Sequence, residues 1–130
     1  MTDIYGKGPK GKATRLHAEL VRSRGKCEAC AVGWSPMPKS AGPLECAHII
    51  SRRYSATRTD EHNAFALCSS HHRHFTLWGV EFARFIESKI GVAGYDALKT
   101  KAEANPRPWR DSDWKAEVER LSALLAEVES

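Results

Sequence analysis

The spacing of apolar positions changes several times along the chain, and each change predicts an element. From Lys12 to Arg24, Leu16, Leu20 and Val21 recur at helical spacing, with Gly25 as the stop. Gly33 to Pro43 holds three prolines, two glycines and two serines, a composition that breaks regular structure and predicts a connecting loop. Leu44 to Ile50 reads as a short strand, whereas Ser51 to Asn63 turns polar and basic and predicts a loop able to lie against a ligand. Ala64 to Leu67 leads into Cys68, and a helix is expected from His71. Further on, Phe82, Phe85, Ile86 and Ile90 fall on one helical face closed by Gly91, and Tyr95 with Leu98 suggests another short helix. Asn105 to Pro108 breaks the chain, after which Trp114, Val118, Leu121, Leu125 and Val128 form the stripe of a terminal amphipathic helix. That stripe is expected to pack on the domain; a homodimer through this helix is the alternative to a monomer. Met1 to Gly11, with three glycines, a proline and two lysines, reads as a flexible basic tail.

Composition sets bounds on these elements. A chain of 130 residues, 42% apolar, is one modest domain with limited surface to bury. No stretch approaches the roughly 18 consecutive apolar residues of a membrane span, and the N-terminus has no apolar signal core, so a soluble, cytoplasmic protein is expected. The net charge is +4 and the pI about 9.0, with Lys7, Lys10, Lys12, Arg15, Arg22, Arg24 and Lys26 near the start and Arg52, Arg53 and Arg58 in the middle. Such a balance suits a polyanion, because lysine and arginine neutralise phosphates and release counterions. A solvated basic surface has the same composition, so charge alone decides nothing.

Cysteine and histidine change the picture. Cys27, Cys30, Cys46 and Cys68 lie in the first 68 residues, and five of the six histidines lie between His48 and His74. With no signal peptide and with histidines interleaved, metal binding is the better reading than two disulfides. Structural zinc takes four tetrahedral sulfur or nitrogen ligands, commonly as two closely spaced pairs. Cys27 and Cys30 make one pair, and Cys68 with His71 repeats its two-residue gap. The expected set is therefore Cys27, Cys30, Cys68 and His71; Cys46 in place of His71 is the alternative. His17 and His62 read as surface residues, and His74 lies about 200° around the helix from His72, away from the same ion.

In order along the chain, Cys27-x-x-Cys30, Glu45-Cys46-Ala47-His48-Ile49-Ile50 and Asn63-Ala64-Phe65-Ala66-Leu67-Cys68-Ser69-Ser70-His71-His72 resemble the motif of HNH endonucleases over about residues 24–76. Some likeness extends to small phage and prophage enzymes and to NinG-type recombination endonucleases, which also have a small residue before the first histidine. The resemblance implies an α+β fold: a beta-beta-alpha-metal (HNH, His-Me finger) core with zinc knuckles, flanked by an N-terminal helix and C-terminal helices. The expected organisation is a tail at residues 1–11, a nuclease core at 12–78 and a helical extension at 79–130.

The same resemblance implies metal-dependent hydrolysis of DNA phosphodiesters, by nicking or double-strand cutting. His48 would be the general base, Asn63 would fasten the loop, and His72, first on its helix, would ligate a catalytic divalent ion. Magnesium is the first candidate for that ion, with manganese or nickel as alternatives, beside a structural zinc. Family members commonly carry a second metal ligand where this chain has Ala47; Cys46, His74 or water would have to replace it. Arg52 and Arg53 follow the strand where they could clamp phosphates, so DNA contacts are expected mainly on the backbone, in a bacterial host cell and with other phage proteins as possible partners. The rival readings are a non-catalytic zinc-knuckle module that binds nucleic acid, and a junction-resolving nuclease.

Overall fold

The computed structural model describes residues 6–129. Its first helix, α1 (Gly8–Arg22), begins within the segment whose glycines suggested a tail. Pro9 accounts for the early start: its fixed φ suits a first turn, where its missing N–H costs no hydrogen bond. Residues 8–11 are therefore helical, and residues 1–5 of the expected tail lie outside the described part. Gly25, at φ +85°, ends this region in a conformation that favours glycine.

After a one-turn helix, α2 (Glu28–Ala31), strands β1 (Leu44–His48) and β2 (Ala64–Cys68) pair antiparallel, with Cys46 opposite Ala66 and His48 opposite Ala64. The expected loop between them holds one helical turn, α3 (Ser55–Arg58), and a 3-10 turn (Glu61–Asn63). Polar residues shape the second turn, because the Asp60 carboxylate accepts from the His62 backbone N–H at 2.8 Å. Helix α4 (Ser69–Leu77) starts two residues before the expected His71, since the Cys68 sulfur caps it by accepting from the His71 N–H. His72 is thus the fourth residue of its helix, not the first.

Strand alternation divides the chemistry between two faces. Ala47, Phe65 and Leu67 point into the main core with Cys27, Cys68, Phe75, Phe85 and Ile86, contributed by α2, α4 and the following helix α5 (Gly79–Ala104). On the opposite face Ala64 and Ala66 are small enough to let α1 approach, and they pack with Val21 and Cys46. Helix α5 breaks at Gly91, whose φ of 72° interrupts the helical backbone where the sequence places the stop. Helix α6 (Asp111–Glu129) covers α1: Trp114, Leu121 and Leu125 are buried against Ala13, Leu16 and Leu20. The terminal stripe from Trp114 to Leu125 is thereby occupied within the chain, while Val128 at its end is exposed. Among the described residues no helix is long and apolar enough to cross a membrane.

Candidate metal cluster and active site

The two predicted knuckles converge. The His71 Nδ1 atom lies 3.6, 3.4 and 3.5 Å from the sulfurs of Cys27, Cys30 and Cys68, and Cys30 is 3.9 Å from Cys68. A tetrahedral ion with bonds of roughly 2.0–2.3 Å sets its ligands about 3.5–3.8 Å apart, so the spacing suits one. His71 Nε2 donates to the Trp34 carbonyl at 2.8 Å, which leaves Nδ1 with its lone pair towards the sulfurs. Burial pushes the Cys27 thiol up, but donors from the Cys68 and Cys30 backbone outweigh it and hold the thiol below its ordinary value. These four residues could hold a metal. Cys46, the alternative fourth ligand, is elsewhere, on the α1 face of the sheet.

That face also carries His48, the last residue of β1. Its Nε2 is 2.8 Å from the Arg58 carbonyl. A carbonyl only accepts, so Nε2 holds the proton and the free lone pair sits on Nδ1. Burial pushes the imidazole down to about 4, aided by Arg52 and Arg58, so the ring is neutral at ordinary pH. His48 borders a cavity of about 270 Å³ with Thr14, Arg22, Glu45, Cys46 and Arg52. Arg53 is not part of that lining; its guanidinium lies over the Tyr54 ring, 5.6 Å from the centroid.

His17 is a correction: it is fully buried, not a surface residue. It donates from Nε2 to the Asp60 carbonyl at 2.9 Å and its ring lies 5.2 Å from that of His48. Helix α1 is held between the sheet and α6, so its Thr14, His17 and Val21 side is buried as well as its leucine stripe. His62 is exposed as expected.

Asn63, entirely buried, fastens the loop. Its Oδ1 accepts from the Ile50 N–H at 2.7 Å, and its Nδ2 donates to the Ile50 and Thr57 carbonyls at 3.1 and 2.9 Å. Asn63→Ala should strand these three backbone groups and lower stability by roughly 3 kcal/mol. Urea unfolding checks this, and a midpoint equal to wild type would refute it.

His72 does not share the His48 cavity. It faces the other side of β1, where its Nδ1 lies 2.8 Å from Glu45 Oε1, and it borders a second cavity with Glu45, Ser69 and Arg73. Glu45 is common to both cavities, and β1, paired only with β2, leaves its outer edge open between them among the described residues. The sequence reading missed Glu45 because it looked for a ligand beside His48. Period two places residues 45 and 47 on one face, and Ala47, 2% exposed, is core. His74 pairs with Glu81 at 3.0 Å and takes no part in the Glu45 and His72 pair.

Residues 26–77, 52 of the 130, match a family model described as HNH endonuclease. No curated protein and no solved structure matches the chain. The matched segment spans both knuckles, the hairpin, the asparagine-fastened loop and α4, and over that segment the chain is similar to HNH endonucleases.

Proposed function

We propose that the protein is a metal-dependent DNA endonuclease whose scissile phosphate lies across the open edge of β1, with His48 as general base on one face and Glu45 with His72 on the other. The observation that carries this reading is the His48 tautomer: Nε2–H is tied to the Arg58 carbonyl and a bare Nδ1 remains beside the cavity. A neutral imidazole so held can take a proton from water as its oxygen attacks phosphorus. The new P–O bond forms as the bond to the leaving sugar oxygen breaks. Arg52 beside His48 would grip phosphate oxygens, with Arg53 on the same loop adding charge. Contacts of this kind read the DNA backbone, not base identity.

Glu45 and His72 present an oxygen and a nitrogen 2.8 Å apart, close to the separation of neighbouring ligands on a small divalent ion. Magnesium fits a partly exposed carboxylate and imidazole with water completing the shell; manganese and nickel are alternatives. Such an ion, when bound, supplies positive charge for the phosphorane and the leaving oxygen. The buried three-sulfur, one-nitrogen cluster suits zinc instead, as a structural ion.

Glu45→Gln tests the split between base and metal ligands. The side chain is 43% exposed and in no core cluster, so the variant should fold and keep its zinc. Plasmid nicking should require roughly tenfold or more magnesium. An unchanged magnesium dependence would remove Glu45 from the site.

A further inference from the structure

A second group of metal-ligating side chains lies among the described residues, outside the four-residue cluster. His17 from α1 and Cys46 and His48 from β1 each offer one ligand atom, all within 4.8 Å of one another. Both rings are locked in the same tautomer. His17 donates from Nε2 to the Asp60 carbonyl and His48 from Nε2 to the Arg58 carbonyl, so each turns a bare Nδ1 to its surroundings. The His17 Nδ1 lies 3.8 Å from the Cys46 sulfur. Anchoring of the outer nitrogen on a backbone carbonyl is how His71 is fixed in the first cluster, and it is the usual support of a metal-binding histidine.

Without an ion this is a poor arrangement. Two bare imidazole nitrogens and one thiol share a half-buried space with a single proton, that of Cys46, between them. Two nitrogens and a sulfur make a soft set, suited to zinc or cobalt and ill-suited to magnesium. Three protein ligands leave a fourth position, and the cavity beside His48 and Cys46 gives it access to solvent.

We propose that His17, Cys46 and His48 form a second metal site that takes a soft divalent ion such as zinc, and that filling it switches the nuclease off. The second half rests on the reading of His48 as the base. An ion bonded to Nδ1 occupies the lone pair that would accept the proton of water, while Cys46 releases its own proton to solvent. The three-sulfur cluster has the stronger ligand set and fills first.

The test starts from the full chain isolated with one equivalent of zinc, to which cobalt is added. Wild type should take up a second equivalent and develop the near-ultraviolet band of cobalt bonded to one thiolate. Cys46→Ser and His17→Gln should keep the zinc and show no such band; glutamine retains a donor for the Asp60 carbonyl, so this variant guards against misfolding of the other. No second equivalent in wild type, or equal uptake by all three proteins, overturns the site. In parallel, filling the second site should slow magnesium-supported plasmid cleavage roughly a hundredfold in wild type and leave Cys46→Ser unaffected. Equal inhibition of both overturns the switch. Uptake of the second equivalent by a chain that gives no cleavage with any of the metals supports the site and overturns the nuclease reading instead.

Discussion

Cys68→Ser should lose the zinc and lower the melting temperature by about 15 °C or more. Cys68 is fully buried, offers one of the four ligand atoms of the proposed zinc site and caps α4 through its sulfur. It also ends β2, whose residues pack on the α1 face on one side and in the main core on the other. In small zinc domains the binding energy, on the order of 10 kcal/mol, is folding energy, and this is comparable to the whole stability of a domain this size. The main core gathers around the cluster, with Cys27, Ala29 and Cys68 packed among Phe65, Phe75 and Phe85. Loss of the ion therefore loosens α2, the hairpin and α4 together. Metal analysis with a thermal melt checks this, and Cys46→Ser is the control, since its sulfur lies on the other face of the sheet. Full zinc content with an unaltered melt in Cys68→Ser would sink the cluster as a structural site.

Much of this was legible in the sequence, and what was missed has physical causes. The two pairs, Cys27 with Cys30 and Cys68 with His71, could be read because a short gap at a helix start forces two ligands together whatever else the chain does. The same holds for the order of His48, Asn63 and His72. The hairpin could be read from Leu44 to Cys68, though the polar stretch within it gave no sign of its two helical turns. Their hydrogen bonds come from Asp60 and Asn63 side chains, not from any apolar period. Glu45 and His17 escaped for a common reason. Each acts on a face defined by tertiary packing, Glu45 through strand alternation towards α4 and His17 because α6 presses α1 onto the sheet. Spacing within one element cannot report which second face will be buried.

His48→Ala should reduce cleavage about a thousandfold, within the range that a positioned base contributes. The fold has little reason to change: His48 ends β1 beside the cavity, and its ring makes a single part-buried hydrogen bond, to the Arg58 carbonyl. Zinc content and DNA binding should match wild type, because the four cluster residues and Arg52 are untouched. A large activity loss with unchanged binding separates a base from a residue that merely holds DNA.

The most direct measurement incubates supercoiled plasmid with the purified protein and with His48→Ala, first in EDTA, then with magnesium, manganese or nickel. Relaxed or linear DNA formed only with added metal, and only by wild type, is the predicted result. Cleavage by His48→Ala at the wild-type rate, or no product with any ion while DNA binding persists, would contradict it.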